Sequence, residues 1–81
     1  MSYEKINPIQ QFNFQINRVL TYGEIACDRN LVRERTEGIR SLEEWTKVWR
    51  ELGEYAVEKS KFLHAAYYFR MAEFFVKGTD S

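Results

Sequence analysis

The sequence predicts an all-α fold: one domain covering residues 1–81, built as a four-helix array of antiparallel helical hairpins, with the third and fourth helices as the core pair. Apolar residues recur at steps of three and four over residues 42–56, which is the spacing of one face of an α-helix. Helix-starting residues and glycines separate four segments of helical length. Eighty-one residues are too few to divide into two hydrophobic cores.

The first predicted helix covers about residues 8–21. Asn7 followed by Pro8 is typical of an N-cap with proline at the first helical position, and Gly23 is a typical C-terminal stop. The alternation from Phe12 to Ile16 also fits a short strand, but a lone strand would have no partner in this chain. We therefore predict a helix here.

The second and third predicted helices cover about residues 28–37 and 42–59. Asp28 is the expected N-cap of the second and Gly38 its end. Ser41 and Glu44 form a capping box before the third, in which the serine hydroxyl accepts a hydrogen bond from a first-turn amide. One apolar seam runs down the third helix. We expect this seam and one alanine of the fourth helix to form the core: Leu42, Trp45, Trp49, Leu52, Ala56 and Ala66.

The fourth predicted helix covers about residues 61–77, with Ser60 as its N-cap and Gly78 as its stop. Apolar residues take twelve of the fifteen positions from 62 to 76, so the helix must be buried against protein, since a membrane span needs about 20 residues. Its polar residues change side halfway along, so part of its apolar surface should face something outside the other helices. The residues expected at this domain or partner interface are Tyr67, Tyr68, Arg70, Met71, Phe74 and Phe75.

The composition argues against several classes of protein. Twelve basic residues against twelve acidic ones leave a formal net charge of zero, and no run of Lys and Arg supplies a nucleic-acid site. An apolar fraction of 44% is too high for a disordered chain, and a charged fraction of 30% argues against a membrane protein. A single cysteine and an N-terminus without an apolar signal segment predict a cytoplasmic protein. Thirteen aromatic residues exceed what so small an interior comfortably encloses.

Candidate catalytic residues are few. Nothing in the sequence places a nucleophile or carboxylate beside His64, so a helix-surface histidine is the favoured interpretation. Cys27 precedes a helix start, which can lower a thiol pKa, but a structural thiol is the better interpretation. The sequence has no paired-carboxylate metal motif, glycine-rich phosphate loop or Gly-x-Ser-x-Gly elbow. We therefore predict no catalytic, metal-binding or cofactor-binding residue. Arg70 is expected either to pair within its helix, with Glu73, or to contact another domain.

Three segments of the chain resemble one known family. They are residues 14–23, residues 41–56 and, most specifically, the run Ala65-Ala66-Tyr67-Tyr68-Phe69-Arg70-Met71-Ala72-Glu73-Phe74-Phe75. Together they are similar to the helical N-terminal cap region of a group of α/β-hydrolases. This group includes dihydroxypseudooxynicotine hydrolase and the esterases related to the fermentation-respiration switch protein. The resemblance covers roughly residues 12–75.

The resemblance implies a cap domain without catalytic residues of its own. In that family the helical segment packs on a C-terminal catalytic domain and helps to cover its active site, and the serine, aspartate and histidine of the triad come from that later domain. This sequence stops at Ser81, and neither Ser60 nor His64 occupies a matching position. The implied chain is thus a fragment of a serine hydrolase that cleaves an ester or carbon–carbon bond, and its partner is the missing catalytic domain.

A free-standing helical interaction module remains the alternative to a cap domain. The third and fourth helices together span about 36 residues and resemble a tetratricopeptide helix pair in outline. In this interpretation the fourth helix offers its aromatic surface to a partner protein or to a second copy in a homodimer.

Overall fold

Four α-helices form the described part of the chain. The computed structural model describes residues 4–79, and the side chains of residues 4–75. The helices are α1 (Gln10–Thr21), α2 (Arg29–Thr36), α3 (Leu42–Glu58) and α4 (Phe62–Thr79), and no strand occurs between residues 4 and 79. The predicted all-α fold is confirmed. The strand alternative for residues 12–16 is wrong, because these residues lie inside α1.

The start of α1 differs from the prediction. The helix begins at Gln10, two residues later than expected, and Ile9 at the N-cap position makes no side-chain cap. Instead, the Asn7 side-chain oxygen accepts a hydrogen bond from the Ile9 N–H at 2.9 Å, which forms an Asx turn before the helix. The Asn7 side-chain nitrogen donates to the carbonyl oxygens of Thr36 and Ile39, both at 2.9 Å. Buried Asn7 therefore ties the N-terminal segment to the connection between α2 and α3.

A second buried asparagine, Asn13 of α1, holds the same segment from the other side. Its side-chain oxygen accepts hydrogen bonds from the N–H groups of Ile6 at 2.7 Å and Asn7 at 2.9 Å. Its side-chain nitrogen donates to the Glu4 carbonyl at 3.0 Å. One turn later, Asn17 both accepts from the Glu4 N–H and donates to the Glu4 carbonyl. These amides satisfy backbone groups of residues 4–7, which precede α1.

The predicted caps of α2 and α3 are present. The Asp28 carboxylate accepts a hydrogen bond from the Leu31 N–H at 3.2 Å, and the Ser41 hydroxyl accepts one from the Glu44 N–H at 3.1 Å. The Glu44 side chain also reaches back, as a capping box requires, but to the N–H of Arg40 at 2.7 Å. Both helices therefore begin where their side-chain signals place them.

Two described residues have a positive φ, and both lie where a helix ends. Gly23, at φ +83°, follows α1 as predicted. Ser60, at φ +60°, does not cap α4 as predicted. Its N–H donates to the Val57 carbonyl at 2.9 Å, and the Lys61 N–H donates to the Ala56 carbonyl at 2.8 Å. These are the paired hydrogen bonds of a Schellman motif, so Ser60 ends α3 in a conformation that usually requires glycine.

Helices α3 and α4 form the main contact pair and run antiparallel. Near the start of α3, Trp45 Nε1 donates a hydrogen bond to the Met71 carbonyl of α4 at 2.7 Å. Farther along α3, the rings of Trp49 and Tyr68 have centroids 5.9 Å apart. Gly53 then lets the helices approach closely, because a Cβ at this position would lie 2.6 Å from a phenylalanine ring of α4. From Trp45 to Trp49 the contacts move back along α4 from Met71 to Tyr68, as they do in an antiparallel pair.

The expected core differs from the observed one at two positions. Trp45, Trp49, Leu52 and Ala56 are buried, whereas Leu42 is 45% exposed and Ala66 is exposed. Leu42 is the first residue of α3, so no preceding turn of its own helix flanks it. Ala66 points away from α3 because it lies one residue, about 100° of helix rotation, from buried Ala65. Gly78, the predicted stop of α4, lies inside the helix, which runs to Thr79.

Candidate interaction surface

Helix α4 has an apolar face toward the core and a second apolar face away from it. Ala65, Tyr68 and Ala72, at positions i, i+3 and i+7, are buried, which is the spacing of a single helix face. Because these three residues face α3, the opposite side of α4 makes no contact with α3. At about 100° per residue, that opposite side, here called the α4 outer face, consists of Leu63, Ala66, Tyr67, Arg70 and Phe74.

The α4 outer face is unusually apolar for a side that no other helix covers. Leu63 is 50% exposed and Phe74 is 42% exposed. From Leu63 to Phe74 the face extends about 17 Å along the helix, at 1.5 Å per residue. Solvent-facing helix surfaces are usually dominated by polar and charged residues. Between Leu63 and Phe74 this face carries the charge of Arg70, and exposed Glu73 lies at its edge, about 20° in helix rotation from Ala66.

Helix α1 widens this surface along one side. At one end, the ring of Tyr22, which follows α1, lies 5.5 Å from that of Tyr67. At the other end, Phe75 packs on buried Phe12 of α1, with the two rings 5.6 Å apart. Phe14, which is 52% exposed, lines an open groove of about 410 Å³ between the two helices. The remaining residues of the groove are Gln10, Gln11, Gln15 and Phe75. Exposed aromatic surface therefore continues from α4 onto α1.

Of the residues expected at an interface, some are exposed and others are half-buried or buried. Tyr67, Arg70 and Phe74 belong to the α4 outer face. Met71 is half-buried beside them, and Phe75 is half-buried with its ring 5.1 Å from that of Trp45. The expectation was wrong for Tyr68, which is 1% exposed.

Tyr68 faces inward because it lies on the same side of α4 as Ala65 and Ala72. Its hydroxyl oxygen accepts a hydrogen bond from the Asp28 N–H at 2.9 Å. Tyr68 thereby links α4 to the start of α2, and burial raises the pKa of its hydroxyl to about 12. The residue is part of the fold and not of the candidate surface.

Arg70 is exposed near the middle of the α4 outer face. Within residues 4–75 the ion pairs join Glu4 to Arg29 and Arg33, and Arg35 to Glu51, so the expected pair of Arg70 with Glu73 does not form. Its guanidinium therefore stays available to a ring or a carboxylate outside this fold.

The two residues considered for catalysis serve as structural groups. His64 Nε2 donates a hydrogen bond to the Glu24 carbonyl at 2.7 Å, since a carbonyl oxygen can only accept. Burial, and secondarily the nearby Asp28 carboxylate, raises the pKa of the Cys27 thiol to about 11, which keeps it protonated at neutral pH. Nowhere in the described chain do three or more His, Cys, Asp or Glu side chains gather in a way that could hold a metal ion.

Three members of the exposed apolar surface were not predicted from the sequence: Phe14, Tyr22 and Leu63. Phe14 carried a usable signal, because it falls about 200° from Phe12 on a helix and so had to point away from the core side of α1. Leu63 lies four residues before Tyr67 and seven before Arg70, which is the spacing of one helix face. That signal became readable only once the core side of α4 was known.

Comparison with known proteins identifies no relative of this chain. No family model matches it, and no curated protein or solved structure matches it either. Over the residues described, none of the helices combines the length and the apolar character that crossing a membrane requires.

Proposed function

We propose that this chain is a helical docking domain that binds another protein domain through the α4 outer face and performs no chemistry itself. The observation that carries the proposal is the second apolar face of α4, with Leu63 and Phe74 exposed on the side opposite the core. Contiguous exposed apolar patches on folded proteins mark sites of interaction.

The residue types on this face support a protein partner. Aromatic residues and arginine are enriched at protein interfaces, where they combine a large contact area with a polar or charged group. Tyr67, Arg70 and Phe74 supply this combination on one helix. Exposed Phe14 on α1 and exposed Tyr22, which follows that helix, add two aromatic residues beside this face.

A hydrolase cap is the specific form of this proposal. It is supported by the sequence resemblance described above, and in this form the docking partner is the catalytic domain of an α/β-hydrolase. That domain would supply the nucleophilic serine, while α4 and α1 would cover part of its active site. The parent reaction, the fragment character of the chain and its cytoplasmic location are parts of the same proposal.

The docking role can be tested by site-specific photo-cross-linking in the cells from which the gene comes. A benzoylphenylalanine placed at Phe74 should cross-link to one defined protein segment, identified by mass spectrometry of the linked peptides. The matched control is the same group at Val57, which is also exposed but lies on α3. Equal cross-linking from both positions, or none from position 74, would contradict docking through α4.

The cap form has a separate test in the gene itself. The reading frame beyond the codon for Ser81 should contain Gly-x-Ser-x-Gly, and a stop codon there would exclude a catalytic domain on the same polypeptide. The purified 81-residue chain should hydrolyse no p-nitrophenyl ester above background. Turnover that survives purification and is lost in a His64→Ala variant would show that the chain is an enzyme in its own right.

A further inference from the structure

We propose that the chain binds a small organic carboxylate in a cavity where α2, α3 and α4 meet, with the Tyr68 hydroxyl and the ammonium groups of Lys59 and Lys61 as polar contacts. The cavity has a volume of about 120 Å³. It shares no lining residue with the α4 outer face. The site is therefore separate from the proposed docking surface, and either can fail without the other.

Tyr68 supplies a hydrogen-bond donor that the fold itself does not use. Its side chain lines the cavity and is 1% exposed. The hydroxyl oxygen accepts a hydrogen bond from the N–H of Asp28, another lining residue, at 2.9 Å. The hydroxyl proton is a donor in its own right, and within residues 4–75 no acceptor atom lies within hydrogen-bonding reach of it.

An acceptor inside the cavity would complete the hydrogen bonding of Tyr68. Buried polar groups are nearly always paired, and a buried donor without an acceptor is destabilising. Because burial raises the pKa of Tyr68 to about 12, the hydroxyl keeps its proton at neutral pH. The ligand must therefore present an acceptor atom to Tyr68, and an ionised carboxylate is a strong one.

The charged side chains around the cavity favour an anion over a neutral acceptor. Lys59, which follows α3, and Lys61, which precedes α4, both line the cavity. Within residues 4–75 neither lysine forms an ion pair. Asp28 brings one opposing charge, but its carboxylate already accepts a hydrogen bond from a first-turn N–H of α2. Two ammonium groups against one capping carboxylate leave the cavity with an excess of positive charge.

The rest of the lining selects an organic anion of limited size. Leu31, Ala56 and the ring of Tyr55 supply apolar wall. A hydrocarbon tail would cover this wall, whereas an inorganic anion such as phosphate would gain nothing from it. Since a protein cavity of about 150 Å³ accepts benzene, about 120 Å³ fits a carboxylate of about three to five carbons.

NMR titration of the ¹⁵N-labelled chain with sodium butyrate at constant ionic strength tests the site. The amide signals of Leu31 and His64, which both line the cavity, should shift and saturate with a dissociation constant on the order of 1 mM. Butyramide, which has a similar shape and no charge, should bind at least about fivefold more weakly, and so should inorganic phosphate. Shifts that do not saturate by about 50 mM butyrate, or equal affinity for butyrate and either comparison ligand, would overturn the proposal.

Removal of the hydroxyl alone tests the role of Tyr68. Tyr68→Phe keeps the ring and should weaken butyrate binding at least about tenfold. The matched control is Tyr67→Phe, the same change at the adjacent residue, which does not line the cavity and should leave the affinity unchanged. Circular dichroism checks the fold, because Tyr68→Phe also removes the acceptor of the Asp28 N–H. Full affinity in folded Tyr68→Phe would overturn the assignment.

The two lysines provide a test that does not depend on the buried core. Both Lys59 and Lys61 are exposed, so Lys59→Gln and Lys61→Gln should fold normally. Each should weaken butyrate binding about two- to fivefold and leave butyramide binding unchanged. Lys47→Gln on α3, outside the cavity, is the matched control and should bind butyrate like the parent. A double Lys59→Gln, Lys61→Gln variant with the parent affinity for butyrate would contradict the proposed anion site.

Discussion

Replacing Asn13 by alanine should remove a large part of the stability of the chain. The side chain of Asn13 makes hydrogen bonds of 2.7, 2.9 and 3.0 Å to the N–H groups of Ile6 and Asn7 and to the Glu4 carbonyl. Alanine at position 13 can form none of these bonds, although the Glu4 carbonyl keeps the hydrogen bond from Asn17. The consequence differs among the three groups because their burial differs.

The size of the effect is set mainly by Asn7, whose N–H bond to Asn13 is buried. An unsatisfied buried backbone group costs about 1–3 kcal/mol. The bonds of Ile6 and Glu4 are only partly buried, so water can replace Asn13 there and each adds at most about 1 kcal/mol. Alanine regains about 0.5 kcal/mol of helix propensity in α1. We therefore expect a net loss of about 2–3 kcal/mol, from a core of this size that rarely supplies more than about 3–5 kcal/mol.

Urea unfolding monitored by tryptophan fluorescence measures this loss, because Trp45 and Trp49 are both buried. The slope for a small domain is about 1 kcal/mol per molar urea, so the midpoint should fall by about 2–3 M. Asn30→Ala is the matched control, since Asn30 is exposed on α2 and should change stability by no more than about 0.5 kcal/mol. Equal midpoints for the two variants would refute the role given to Asn13.

Three further predictions concern the close approach of α3 and α4, the left-handed residue that ends α3, and the two buried groups that ionise at high pH. Gly53→Ala should destabilise by about 1–3 kcal/mol because its Cβ would lie 2.6 Å from the Phe69 ring, and in a Phe69→Ala background the urea midpoint should be unchanged or raised. Ser60→Gly should stabilise by about 1 kcal/mol in thermal melts, because glycine tolerates φ +60° without strain, whereas Ser60→Ala should give no gain. Burial raises the pKa of Cys27 from 9.0 to about 11 and that of Tyr68 from 10.0 to about 12. Their contribution to the free energy of unfolding is therefore complete below pH 9 and is lost as the pH rises through these folded-state values. A Cys27→Ala variant titrated with urea between pH 8 and 11 should lose less stability than the parent, and an equal loss would contradict the assignment.

The elements that the sequence predicts best are those whose signals are local. The seam of α3 recurs through Trp45, Trp49 and Leu52 over a whole helix, so its period is unmistakable. The side chains of Asp28 and Ser41 cap helices whose amides lie three residues away. In each case the residues that interact are neighbours in the chain, and the pattern can be read without knowing the fold.

The elements that the sequence misplaces depend on residues far apart in the chain or on a rare backbone conformation. Asn7 looks like a helix cap, but its nitrogen binds carbonyls 29 and 32 residues away, which no local pattern reveals. Ser60 has the residue type of an N-cap, yet it occupies a left-handed position where glycine is the usual signal. Both errors arise because a side chain with two plausible roles takes the one set by tertiary structure.

The candidate surface shows the same limit on α4. Tyr67 and Tyr68 are adjacent and chemically identical, but only Tyr68 is buried. A helix that is apolar on nearly every side has little periodicity to distinguish its faces, so the sequence could not show which side of α4 faces the core. The position of α3 decides which face becomes core.

The central claim is that α4 has one face for folding and the opposite face for binding. The most direct test compares Tyr68→Ala with Phe74→Ala in urea unfolding at a low, monomeric protein concentration. Truncation of buried Tyr68 should cost about 3–5 kcal/mol, whereas truncation of Phe74, which is 42% exposed, should cost less than about 1 kcal/mol. Equal losses at the two positions would mean that Phe74 belongs to the core and that the α4 outer face is not a free surface.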